Sequence, residues 1–135
     1  MPAALAPMSL SAPTAVVVDD SKIGRFFARN ALVRAGWVVL AEGATGLEAV
    51  HLYEIHRPDL LLLDVVLPEV DGLSAARAIL QTFPEANVML CSAFAGTDEV
   101  VEARGLGVVD FLLKPLSAER LVAAAQVVLL ARGPR

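Results

Sequence analysis

Leu60-Leu61-Leu62-Leu63-Asp64 decides how this chain is read. Four leucines in a row are strand length, and the lack of polar alternation is what a central parallel strand needs when both of its faces are covered. The run stops at a carboxylate. On its N-terminal side, residues 47–56 read as a helix that ends before Arg57-Pro58, because a residue preceding proline avoids the helical region. Residues 37–41 form a further strand and 43–46 a loop. Residues 21–35 are a proline-free helix with Gly36 where it would stop. Before that helix, the β-branched stretch Thr14–Val18 is a strand leading into Asp19-Asp20. On the C-terminal side, the loop 65–72 holds Pro68 and Asp71-Gly72, both turn signals. A helix over 73–83 is stopped by Pro84, and 87–91 is a strand. A weaker helix covers 96–104, a strand 108–113, and Lys114-Pro115 ends that strand. The last helix spans 117–131, capped by Ser117 with Glu119 in its first turn. This strict alternation predicts an α/β fold. The architecture expected is a five-stranded parallel sheet in the order 2-1-3-4-5 with helices on both faces, the flavodoxin-like doubly wound form.

The 135 residues leave room for one domain. Hydrophobic residues at 56% and charged residues at 19% exclude a disordered chain. A net charge of −4 argues against direct nucleic-acid binding, whose usual sign is a basic footprint. Residues 1–13, rich in proline and small residues, read as a flexible tail, and 14–132 as the domain. The longest apolar helical stretch, 121–131, falls well short of the ~20 residues a membrane span requires, so no membrane insertion is expected. The N-terminus lacks the positive charge that opens a signal peptide. The lone Cys91 can form no intrachain disulfide, which fits a reducing compartment, and a cytoplasmic location is expected.

In open α/β sheets, ligands bind at the carboxyl ends of the strands. The residues at those ends are Asp19-Asp20, Asp64, Ser92 and Lys114, while the second strand ends in Ala41-Glu42 and lies beyond the switch point of the 2-1-3-4-5 order. Three carboxylates crowded together repel one another unless a counter-charge intervenes. A hard divalent cation such as Mg²⁺ suits a few carboxylates plus water and a phosphate oxygen. Lys114 adds positive charge and Ser92 a neutral donor, so the set describes a phosphoryl-binding site in which one aspartate can act as nucleophile. Blander readings stand beside this one. Asp19-Asp20 alone could cap a helix, Lys114 alone could lie on the surface, and Ser92 alone could bond to its own loop backbone. Glu69 and Asp71 read as solvated loop, His51 and His56 as surface, and Cys91 as a small core hydrophobe. Gly43, Gly46, Gly105 and Gly107 form no phosphate-cradling motif and read as turn residues.

Together, Val16-Val17-Val18-Asp19-Asp20-Ser21, the stretch from Leu63-Asp64 through Pro68 to Asp71-Gly72, Cys91-Ser92-Ala93 and Asp110-Phe111-Leu112-Leu113-Lys114-Pro115 resemble the receiver domains of two-component response regulators. The resemblance implies that Asp64 accepts a phosphoryl group from a sensor histidine kinase or phosphotransfer protein. It implies that Asp20 binds Mg²⁺ directly, that Asp19 acts largely through metal-bound water, and that the Val66 carbonyl completes the metal site together with Asp64. Ser92 matches the switch hydroxyl, Phe111 the aromatic that turns inward with it, and Lys114 the lysine that pairs with phosphate. The resemblance also implies a cis Lys114–Pro115 bond and a downstream protein target controlled through the surface near Phe111.

Val66 and Phe94 stand where many relatives carry polar residues, and Phe111 where many carry tyrosine, so the switch has no phenol hydroxyl. The function expected is a phosphorylatable signalling switch and not an enzyme acting on a separate substrate. The alternative is a non-phosphorylated pseudo-receiver that serves only as an interaction module. A phosphatase with an aspartyl nucleophile fits less well, since its Asp-x-Asp pattern is absent where the acids are adjacent. In the last helix, Leu121, Ala125, Val128 and Leu129 would cover the sheet while Val127 and Leu130 point away, which predicts a partner surface or a homodimer through that helix.

Overall fold

A computed structural model describes residues 11–94 and 96–132. Five strands and five helices alternate: β1 (Thr14–Val18), α1 (Lys22–Arg34), β2 (Val38–Gly43), α2 (Gly46–His56), β3 (Leu60–Asp64), α3 (Gly72–Thr82), β4 (Val88–Ser92), α4 (Thr97–Leu106), β5 (Asp110–Leu113) and α5 (Ala118–Arg132). The strands form one parallel sheet in the order β2-β1-β3-β4-β5. This is the doubly wound architecture expected from the leucine run.

All five residues of β3 are buried, because β1 and β4 flank the strand and helices cover both faces. Leu60 and Leu62, with Ala15, Val17, Met89 and Cys91, pack under α1 and α5 through Ala28, Leu32, Leu121, Ala125 and Val128. Leu61 and Leu63, with Val16, Val18, Val88 and Leu90, pack under α2, α3 and α4 through Ala49, Tyr53, Ala76, Ile79 and Ala103. Burying each leucine contributes roughly 1.5–3 kcal/mol. Period-two alternation thus splits one apolar run between two cores.

The element bounds shift from expectation where hydrogen bonds extend them. β2 runs on to Gly43 because β1 continues to pair with it, Val18 opposite Gly43, and the Asp19 amide donates to the Gly43 carbonyl at 3.0 Å. Asp71 is not simply solvated: its carboxylate accepts from the Ser74 amide at 2.8 Å and caps α3, which therefore starts at Gly72. Gly46 opens α2 and Gly105 lies inside α4, so neither is a turn residue, whereas Gly107 caps α4 at φ +96°. Ser117 caps α5 as expected, accepting from the Arg120 amide at 3.0 Å.

α5 reaches Arg132 because that side chain is buried against Asp59, 3.0 Å from Oδ2, and donates to the Ser11 carbonyl at 2.8 Å. Asp59 Oδ2 also accepts from the Thr14 amide at 2.9 Å. Of the stretch 1–13 expected as a tail, residues 1–10 lie outside the described residues. Ser11 and Pro13 are tied down, the latter by its carbonyl accepting from the Val38 amide at 2.8 Å. Among the described residues no helix is long and apolar enough to cross a membrane.

Candidate functional site

Parallel strands point all their carboxyl ends the same way, so Asp64 closing β3, Ser92 closing β4, Asp19-Asp20 after β1 and Lys114 after β5 meet on one rim. One carboxylate oxygen each from Asp19, Asp20 and Asp64 lies within 4.8 Å of the others. Asp19 and Asp64 are 6% and 5% exposed, while Asp20 faces solvent. Lys114 Nζ bridges the two buried acids, 2.8 Å from Asp64 Oδ2 and 3.0 Å from Asp19 Oδ2. The peptide bond from Lys114 to Pro115 is cis.

Burial pushes the Asp64 carboxyl above the usual carboxylate range, a rise that hydrogen bonds from Lys114 and from the Val66 backbone only partly offset. Burial alone would pull the Lys114 ammonium down, but the two carboxylates outweigh it and hold the ammonium well above its ordinary value. The Cys91 thiol, buried in the sheet, is pushed up to about 12, first by burial and then by the nearby Asp64 charge, so it stays a neutral core group.

Local structure fixes Asp19 from several sides. Its Oδ1 accepts from the Ser21 amide at 2.9 Å, and Ser21 in turn caps α1 by accepting from the Gly24 amide at 3.1 Å. The Asp19 carbonyl accepts from Arg25 Nη1 at 2.6 Å, and Arg25 Nε lies 3.5 Å from Glu42 Oε1. Sequence reasoning missed Arg25, and it set Glu42 aside as the end of a strand beyond the switch point. Arg25 lies one helical turn past the Ser21 cap, and the spacing says nothing until the helix is placed against the loop.

The loop after Asp64 turns back on itself. Gly72 fits where any Cβ would collide with the Asp64 backbone, lying 2.8 Å from its carbonyl carbon. The Val70 amide donates to the Pro68 carbonyl at 2.8 Å, with Glu69 between them at φ +69°, a γ-turn in left-handed backbone that few residues other than glycine adopt. Val66 sits beside Asp64 with its side chain largely in solvent.

Two expected site residues look elsewhere. The Ser92 hydroxyl donates to the Phe94 carbonyl at 2.7 Å and accepts from the Phe94 amide at 3.1 Å, which is the backbone-bonded reading. Phe111 is half-buried in mid-β5, opposite Leu90, and lines a cleft with Val100, Arg104 and Val108 between α4 and β5. His51 is exposed and His56 half-buried at the end of α2, away from the acids.

The donors gathered at the rim are hard carboxylate oxygens, and a small divalent cation is the partner such a set fits. A family model described as the response regulator receiver domain matches residues 15–126. The chain is 37% identical to the chemotaxis protein CheY of Bacillus subtilis over 109 residues, 81% of this chain and 91% of the relative. It is 34% identical to CheY of Thermotoga maritima over the same shares of both chains. Among solved structures, the signal receiver domain of the putative response regulator NarL from Mycobacterium tuberculosis superposes with a TM-score of 0.81 at 31% identity, covering 91% of this chain and 98% of that one. The CheX-CheY-BeF3-Mg complex from Borrelia burgdorferi superposes with a TM-score of 0.83 at 25% identity, covering 86% and 88%.

Proposed function

Since the chain belongs to the response regulator receiver domain family, the signalling domains of two-component systems, we propose that it is a phosphorylatable switch with Asp64 as the phosphoacceptor. The observation that carries this reading is the Lys114 bridge: a buried carboxylate at a strand end, held 2.8 Å from an ammonium and within 4.8 Å of two further acids. A structural core has no use for that arrangement. A receiver does, because it must hold a nucleophile and then accommodate a phosphoryl group.

In the proposed reaction, an Asp64 carboxylate oxygen attacks the phosphorus of a phosphohistidine on a sensor kinase or phosphotransfer protein. The new P–O bond forms as the P–N bond breaks, and the imidazole leaves with the electron pair. Asp19, Asp20, Asp64 and the Val66 carbonyl are the groups that would hold Mg²⁺, which supplies charge neutralisation at the transferring phosphoryl when bound. Lys114, already 2.8 Å from Asp64, pairs with a phosphoryl oxygen after transfer. The Ser92 hydroxyl must release the Phe94 carbonyl before it can reach that group. Its departure is the step that would move Phe111 and alter the α4–β5 face.

The downstream partner is a protein that reads the face near Phe111. The outer side of α5 offers a second surface, since Val127 and Leu130 are 67% and 79% exposed while Leu121, Ala125 and Val128 are buried. Self-association through α5 would cover those two side chains. Light scattering on the wild type and on a Val127→Glu, Leu130→Lys variant tests it: loss of a phosphorylation-dependent dimer supports the interface, and a monomer throughout with unchanged partner binding removes it.

Incubation with acetyl phosphate and Mg²⁺, followed by intact mass, tests the central reading. One stable phosphoryl group is expected on the wild type and none on Asp64→Ala, with slowed labelling of Asp20→Ala. Labelling of Asp64→Ala at a single site would refute the acceptor. An unmodified wild type would indicate an interaction module, and steady release of phosphate a phosphatase.

A further inference from the structure

We propose that Gly24 is a positioning residue for Asp19: the missing side chain lets the first turn of α1 press against this carboxylate and hold it where it can share a cation with Asp20 and Asp64. The metal part of this proposal rests on the receiver reading above.

Glycine disfavours a helix relative to alanine, and Gly24 lies inside the first turn of α1. Its reason for being there is space. A Cβ at position 24 would stand 2.9 Å from Asp19 Cγ and 3.3 Å from Oδ1, and closer still to Oδ2. The carboxylate has no easy retreat. Oδ1 is held by the Ser21 amide at 2.9 Å and Oδ2 by Lys114 at 3.0 Å, while the carbonyl of the same residue is held by Arg25 at 2.6 Å. The helix cannot retreat either, because the Gly24 amide is the donor that the Ser21 cap satisfies. Any side chain at 24 therefore displaces the Asp19 carboxylate. The displacement breaks the bridge that Lys114 makes between Asp19 and Asp64, and it spoils the spacing of the three acids.

The test uses the full chain carrying Gly24→Ala, with Ile23→Ala as a neighbour in the same turn. Calorimetric titration with Mg²⁺ is expected to show affinity about tenfold weaker in Gly24→Ala, the scale seen when groups supporting metal ligands are disturbed, and unchanged in Ile23→Ala. A double-mutant comparison reads the contact without metal. In an Asp19→Ala background the carboxylate is gone, so Gly24→Ala should raise the melting temperature measured in chelator, as helix propensity dictates. In the wild-type background the same substitution should do so less or lower it. Equal effects in both backgrounds overturn the proposal, as does unchanged Mg²⁺ affinity in Gly24→Ala. A wild type that binds no Mg²⁺ overturns the metal reading and the metal half of the proposal together, while the double-mutant result still decides the contact.

Discussion

The Ser92 hydroxyl donates its one proton to the carbonyl of Phe94, 2.7 Å away, and accepts the amide of the same residue at 3.1 Å. The proposed switch group is therefore latched to its own loop in the structure, and a phosphoryl group on Asp64 would have to compete with that carbonyl for the proton. The Phe94 amide should be slow to exchange in the resting protein and faster after treatment with acetyl phosphate and Mg²⁺. In Ser92→Ala it should be fast under both conditions, and in Asp64→Asn slow under both. Hydrogen exchange followed at this amide checks all four, and protection unchanged by phosphorylation would refute the latch.

The charge on Asp64 is expected to oppose folding when no metal is present. Burial outweighs the Lys114 bond, so the folded chain holds the Asp64 proton more tightly than the unfolded chain does. The native state then binds more protons in the window that starts near the ordinary 3.8 and extends upward, and stability falls as pH rises through it. Asp64→Asn should lack that component and melt higher than the wild type at neutral pH in chelator. A lower melting point in Asp64→Asn would show that the Lys114 bridge dominates instead.

Arg132→Ala should cost about 3 kcal/mol, the scale for breaking a buried ion pair by removing one partner. The Arg132 and Asp59 side chains are 6% and 4% exposed, and loss of Arg132 also frees the Ser11 carbonyl. Thr14 still donates to Asp59, which keeps the loss from being larger. Urea unfolding measures the change. A shift below about 0.5 kcal/mol, typical of surface substitutions, would mean that this end of α5 contributes little.

The acyl phosphate on Asp64 should be long-lived. Val66 and Phe94, 69% and 74% exposed, stand where polar side chains could orient an attacking water, and neither can do so. A Val66→Asn, Phe94→Glu variant is expected to lose its phosphoryl group roughly tenfold faster, a modest share of what a positioned polar group can supply. Decay is followed after removal of the donor, and slower loss in the variant would contradict the assignment.

Much of this molecule was legible in order along the chain. The leucine run ending in Asp64, the strand ends at Asp19-Asp20, Ser92 and Lys114, and the alternation between them determine a parallel sheet and the rim its residues share. Period-two burial and the shared direction of parallel strands carry that information, and both are local rules applied element by element. Tertiary structure decided what those residues do to one another. That Lys114 bridges Asp19 and Asp64, that Ser92 bonds Phe94, that Arg25 reaches the Asp19 carbonyl and that Gly24 lies under its carboxylate all depend on how α1 and the loops after β4 and β5 sit against the rim. The same holds for Arg132 meeting Asp59 across the chain. Such contacts join segments that are independent in sequence, and their energies depend on distances of a few ångströms and on burial, which come into being only when the sheet closes and water leaves.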